Sequence, residues 1–244
     1  MGLIYGKNPV LEAIVSGTTI NKIYAQTSNK EIDSVIKEAL KRKIVVVNTD
    51  KAKLDKMIDG KNSQGIIASV TEFKYSSIEE IIEYAKNKNE DPFIVILDKI
   101  EDPHNLGAII RTAECMGVHG VVIQKRNACQ VTDTVEKVAA GACSYVKVAR
   151  VTNITESIKK LKEYGLWIYG LDMDGSDNIY NTKLEGAIGI VIGNEGEGIT
   201  RLVKQNCDVL MKIPMTGKIN SLNASVSAAI SIYEVKRQKN NCNK

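Results

Sequence analysis

The feature that most constrains this chain is a set of apolar, β-branched runs in its later two-thirds, each followed by a segment of helical pattern. The runs are Phe93–Leu97, Gly120–Ile123, Tyr145–Val148, Trp167–Leu171, Ala187–Ile192 and Asp208–Ile213. Runs that are apolar throughout, with no alternation of polar residues, belong to strands covered on both faces. Strand–helix alternation makes such strands parallel. The expected fold class is therefore α/β, and 244 residues with 43% apolar content suffice for its core.

The first 70 or so residues repeat the α/β theme on a smaller scale. Asn8-Pro9 reads as a helix cap and first helical position, with Gly17 as the stop. Ile20–Ala25 reads as a strand, Asn29–Arg42 as a helix, and Lys43–Val47 as a short strand. A weaker helix over Asp50–Ile58 and a strand over Gly65–Val70 complete the unit. The expected organisation is a small domain over residues 1–71, a linker and charged connecting helix over 72–91, and a large domain over 92–244.

Lys and Arg number 33 against 29 for Asp and Glu, a net charge of +4 that permits an anionic partner without requiring one. No run approaches a membrane span, and the Met1–Tyr5 start lacks the layout of a secretion signal, so the expected location is cytoplasmic with no membrane partner. The cysteines (Cys115, Cys129, Cys143, Cys207, Cys242) are odd in number and scattered, with no Cys-x-x-Cys pair. That spacing argues against structural disulfides and against a metal site.

Three strand-to-helix junctions carry polar residues where open α/β sheets bind ligands. The first is Asp102-Pro103-His104-Asn105-Leu106-Gly107 leading to Arg111-Thr112-Ala113-Glu114, in which Asn105 reads as the helix cap. By itself it is as well explained by a capped amphipathic helix whose Arg111 pairs with Glu114. The second is Gly193-Asn194-Glu195-Gly196-Glu197-Gly198, a glycine-rich loop after a buried strand. Its spacing is neither G-x-G-x-x-G nor the Walker pattern, and Glu195 and Glu197 would repel a pyrophosphate. The third is Ile213-Pro214-Met215 leading through Ser221-Leu222-Asn223 into a helix of small residues, Ala224 to Ala229. Alone, it is a capped helix.

In this order the three junctions resemble the motifs of the SpoU/TrmH branch of the SPOUT superfamily, RNA ribose 2′-O-methyltransferases. The pattern N-x-G-x-x-x-R-T-A is met by Asn105, Gly107, Arg111, Thr112 and Ala113, and G-x-E-G-x-G by Gly193, Glu195, Gly196 and Gly198. I-P-M-x-G…S-L-N-x-S is met by Ile213 through Ser225. The resemblance covers about Phe93 to Arg237. Tyr5–Ala13 and Gln64–Ala68 look like the substrate-binding domain of the ribosomal RNA guanosine subgroup, itself similar to small RNA-binding ribosomal proteins; Ser63 stands where relatives often carry His.

The resemblance implies a C-terminal parallel-sheet methyltransferase domain with a deep trefoil knot, a homodimer whose active site is completed across the interface, and S-adenosyl-L-methionine as cofactor. On the matching positions Gly193, Ile213 and Leu222 hold the cofactor, and Asn105, Arg111, Glu195, Ser221 and Asn223 form the catalytic cluster. The implied substrate is RNA, with a guanosine of large-subunit (23S) rRNA favoured over tRNA; related proteins of similar layout protect rRNA against antibiotics.

An arginine is almost never neutral in a protein, so Arg111 is read as a cation beside the ribose, not as the base. The only histidines are His104 and His119. The resemblance itself implies Arg111 as the proton acceptor, and His104, which adjoins Asn105, is the other candidate for the base. A non-catalytic RNA-binding protein would not need Arg111, Glu195 and Asn223 together. A nucleotide-dependent oxidoreductase would need the G-x-G-x-x-G turn, which is missing.

Overall fold

The computed structural model describes residues 2–15, 18, 20–70, 73–218 and 221–242. The expected stop at Gly17, and Thr71, Glu72, Ile219 and Asn220 of the linker and third junction, lie outside the described residues. The chain divides into two units, Met1–Lys74 and Tyr75–Lys244.

The first unit runs β1 (Gly2–Tyr5), α1 (Lys7–Val15), β2 (Ile20–Ala25), α2 (Asp33–Lys41), β3 (Val46–Asn48), α3 (Lys51–Met57) and β4 (Ile66–Val70). Its sheet has the order β1-β4-β2-β3. The central strand β4 is buried at every residue because its two faces serve two small cores. Ile66 and Ala68 point to Val10, Ile14 and Val35, whereas Ile67 points to Leu54 and Ile58. Asn8 is not the cap of α1: the helix already includes Lys7, so Asn8 sits in its first turn. The strand expected over Lys43–Val47 is shifted, because Lys43 takes a φ of 59° to close α2 and pairing in β3 begins only at Val46. Ser63 is fully buried, its hydroxyl donating to Asp55 Oδ1 at 2.9 Å and accepting the Gly65 N–H at 3.3 Å.

The second unit begins with α4 (Ile78–Asn87), started by a reciprocal pair in which Ser77 Oγ accepts the Glu80 N–H and Glu80 accepts the Ser77 N–H. Then follow β5 (Phe93–Asp98), α5 (Pro103–Cys115), β6 (Gly120–Gln124), α6 (Asp133–Val138), β7 (Lys147–Val151), α7 (Ile154–Glu163) and β8 (Trp167–Leu171). The chain ends with the short β9 (Asp177–Asn178), β10 (Ile188–Gly193), α8 (Arg201–Asn206), β11 (Val209–Lys212) and α9 (Ala224–Cys242). All pairings in this sheet are parallel, in the order β7-β6-β5-β10-β8-β11-β9. One face packs Ile94, Ile96, Ile168 and Val191 against Ile81 and Ile82 of α4 and Ile158 and Leu161 of α7. On the other side of β10, α9 packs against the strand and against α5. β7 starts later than the expected Tyr145, because a 3-10 turn over Ala142–Ser144 intervenes and leaves Tyr145 exposed.

Two details of this unit position the site. β10 lies between β5 and β8, so the order reverses beside β5, and crevices open at such a reversal outside the carboxyl ends of the strands. Gly107 lets α6 approach α5: a Cβ there would stand 2.7 Å from Val138 Cβ and 2.9 Å from the Val135 carbonyl oxygen.

Candidate active site

Three loops, one after each of β8, β10 and β11, line a single cleft of about 260 Å³ at the carboxyl ends of the strands. That is near the lower end of small-ligand pockets, about 300–1,000 Å³. Its apolar walls come from Leu171, Ile213 and Leu222, with Met173 and Met215 exposed at the rim.

The loop after β10 is folded back on itself. Asn194 pairs with Gly198, whose N–H donates to the Asn194 carbonyl at 2.8 Å, while Asn194 Oδ1 accepts the Gly196 N–H at 2.8 Å. Only glycine fits at 193, because a Cβ would lie 2.1 Å from the Gly198 carbonyl carbon and 2.3 Å from the Ile199 nitrogen. The loop then enters α8, where Asp98, buried at the end of β5, accepts the Thr200 N–H at 2.7 Å.

The loop after β8 turns on Asp172. Its N–H donates to the Met211 carbonyl at 2.9 Å, Oδ1 accepts the Asp174 N–H at 3.0 Å, and Oδ2 pairs with Lys204 Nζ at 2.5 Å. Among the described residues the cleft lining thus carries Asp172, Asp174, Glu195 and Glu197 against one cation, Lys204, while Lys99 reaches Glu197 from outside the lining at 3.3 Å. Such a lining disfavours a phosphate and suits a ligand bearing positive charge.

Beside the cleft a polar network joins three distant parts of the chain. Asn105 is not the cap of α5. Asp102 fills that role by accepting the His104 N–H at 2.9 Å, and Pro103 takes the first turn, where its missing N–H is harmless. Asn105 is thereby free to turn inward, where it is buried and donates from Nδ2 to Glu195 Oε1. Asn223 Nδ2 donates to Asn105 Oδ1 at 2.9 Å and, at 3.4 Å, to Glu195 Oε1, which also faces the Ala224 N–H at 3.5 Å. Asn223 Oδ1 meanwhile caps α9, accepting the N–H groups of Ser225 at 2.9 Å and Val226 at 3.3 Å.

Of the residues expected from sequence, Asn105, Glu195 and Asn223 form one network, and Gly193, Glu195, Ile213, Ser221 and Leu222 line the adjoining cleft. Arg111 is not brought to them within one chain. It lies six residues beyond Asn105, about 240° around the helix, and is exposed. His104 is exposed too. Leu171, Asp172, Asp174 and Lys204 of the cleft were not anticipated from sequence. Leu171 ends a strand that was, and Asp172 and Asp174 follow it, so the rule that led to the other junctions applied there also.

The profile of the SpoU rRNA Methylase family matches residues 92–233, which include the whole network and cleft. The chain belongs to the SpoU methylase family. A second profile, RNA 2′-O ribose methyltransferase substrate binding, matches residues 3–76 of this SpoU chain. It is 42% identical over 239 residues to YacO of Bacillus subtilis (strain 168), named for the TrmH family of tRNA/rRNA methyltransferases, covering 97% of this chain and 96% of that one. Among solved structures, the SpoU methyltransferase AviRb from Streptomyces viridochromogenes, in complex with the cofactor AdoMet, has a TM-score of 0.63 at 21% identity, covering 98% and 90% of the two chains. The AdoMet-bound rRNA methyltransferase from Sinorhizobium meliloti gives 0.62 at 21%, covering 96% and 86%. At such identity these two speak for the fold.

Proposed function

We propose that this chain methylates a ribose 2′-hydroxyl of RNA from S-adenosyl-L-methionine, with a guanosine of large-subunit rRNA as target and a homodimer as the working form. The observation that carries the reading is the network of Asn105, Glu195 and Asn223 at the mouth of a cleft walled by Gly193, Ile213 and Leu222. When bound there, the cofactor supplies an electrophilic methyl on a sulfonium. The cleft suits it: apolar walls face a purine, the carboxylates face positive charge, and no group calls for a phosphate. The names of the relatives, with AdoMet in two of the solved structures, support the same reading. The order β5-β10-β8-β11, with the loops after β10 and β11 meeting at α9, supports a knotted C terminus.

A ribose hydroxyl is a weak acid, so the site must hold its oxygen in line with the methyl and favour the charge that develops on it. Asn105, Ser221 and Asn223 offer hydrogen-bonding groups for that placement. A cation near the oxygen would stabilise that charge, and the guanidinium of Arg111 is the group for it. Since Arg111 is exposed on α5 and away from its own network, a second copy delivers it. α9, which packs on α5, exposes Val226, Ile230 and Tyr233 at positions i, i+4 and i+7, an apolar stripe suited to that contact.

The test is transfer of tritiated methyl from labelled cofactor to rRNA and tRNA, followed by mapping of the modified nucleotide. Label on a 2′-oxygen of a large-subunit guanosine is expected. Label confined to tRNA would overturn the substrate, and none in either RNA would overturn the enzyme.

A further inference from the structure

The loop after β8 holds a carboxylate to which the proposed transfer assigns no contact beyond the general negative charge of the cleft. Asp172 is the first residue beyond the strand, its side chain only 5% exposed, yet it lines the cleft. A carboxylate offers about four acceptor sites. The structure fills two of them, with the Asp174 N–H on Oδ1 and Lys204 Nζ on Oδ2. Gly198 faces Oδ2 without a side chain, and a Cβ there would stand 3.8 Å from it. Gly198 thus places no side chain between the cleft and the carboxylate.

The other cleft carboxylates are placed differently. Glu195 is held by the amides of Asn105 and Asn223, Glu197 by Lys99, and Asp174 is exposed. Asp172 alone combines burial, remaining acceptor capacity and a position between apolar walls. Its backbone is fixed by the Met211 carbonyl and its head by Lys204, so its orientation is set before any ligand arrives. Neighbouring hydroxyls on a sugar present two O–H donors, and in open α/β sheets an acidic side chain near a strand end takes them.

We infer that Asp172 is the acceptor for the ribose hydroxyls of the nucleoside bound in the cleft, with Lys204 as the residue that positions it. This rests on the cofactor reading above and assigns one end of that ligand. A site built to receive an O–H rejects the analogue that lacks it, because the buried acceptor is left unpaired.

The test is calorimetric binding of S-adenosylhomocysteine and its 2′-deoxy and 3′-deoxy forms to the full chain and to Asp172→Asn and Lys204→Met variants. The wild-type chain is expected to bind at least one deoxy form about 10-fold more weakly than the parent, a hydrogen bond to a charged group. In Asp172→Asn that gap should close to within about 2-fold, with the melting temperature of each variant checked alongside. Lys204→Met should narrow the gap while keeping some of it. Equal binding of all three ligands by the wild-type chain would overturn the assignment and leave the cofactor reading intact. So would an undiminished gap in a folded Asp172→Asn chain. Failure of the wild-type chain to bind any of them would overturn both.

Discussion

Gly193→Ala tests the local packing most directly. The added Cβ would sit 2.1 Å from the carbonyl carbon of Gly198. Relaxing this to an ordinary contact of about 3.5 Å requires the facing backbone to retreat by roughly 1.4 Å. A retreat of that size breaks the Gly198 N–H to Asn194 carbonyl bond, now 2.8 Å long. Overpacking costs about 1–3 kcal/mol and the lost hydrogen bond about 1 kcal/mol, so about 2–4 kcal/mol is expected. At roughly 2–4 °C per kcal/mol for a unit of this size, a cost of about 3 kcal/mol is a drop of roughly 6–12 °C. Gly196→Ala is the control, because the nearest atom to its Cβ would be Asn194 Oδ1 at 3.4 Å. It should stay within about 0.5 kcal/mol. Urea unfolding followed by Trp167 fluorescence reads the right region, since Trp167 is the only tryptophan and pairs in register with Ile188 of β10. If Gly193→Ala and Gly196→Ala unfold at the same denaturant concentration, the close approach is not the reason for the glycine.

Four further outcomes are expected. Asn223→Ser keeps a cap on α9 but removes the amide that donates to Asn105 and Glu195, so stability should hold while methyl transfer falls about 100-fold in single-turnover assays. Arg111→Lys retains charge without the planar fork, and near-wild-type transfer would contradict its placing of the ribose. Ile230→Lys should turn a dimer into a monomer by light scattering and abolish transfer; a variant that stays dimeric removes α9 from the interface. His119 accepts the Phe93 N–H on Nδ1 at 3.0 Å and faces Glu90 through Nε2 at 3.2 Å, and burial lowers its pKa despite the opposing pull of Glu90. Its folded pKa lies below its unfolded value of about 6.5, so its contribution is complete above that pH and is lost as pH falls through the folded value. The urea midpoint of the wild-type chain should therefore drop more between pH 7.5 and pH 5 than that of His119→Gln.

Much of this was legible in the sequence because strand and site signals coincide there. Trp167–Leu171 is an apolar run bounded by Gly165 and Asp172, and the structure places β8 on the same residues. Tyr145 misled because an aromatic before Val146 reads as strand, whereas Gly141, at a φ of 89°, starts a turn that delays the strand until Lys147. Asn105 misled differently: cap propensity is local, and Asp102-Pro103 satisfied the helix start first. The side chain left over became a network member, a fact settled 90 residues away at Glu195. Asp172 escaped notice because one carboxylate after a strand carries no spacing signal, and its partner Lys204 arrives from another element.

The network beside the cleft also has a consequence for how the chain is made. Asn105 and Asn223 are 118 residues apart, and β10, which separates β5 from β8, is synthesised after both. Such distant pairings are costly in chain entropy and form late. A nascent chain halted before Asn223 would carry the first unit and every strand named above, yet neither α9 nor an assembled site. Cofactor affinity would then appear abruptly, once Asn223 and α9 have been made, and would serve as a report that the second unit has finished folding.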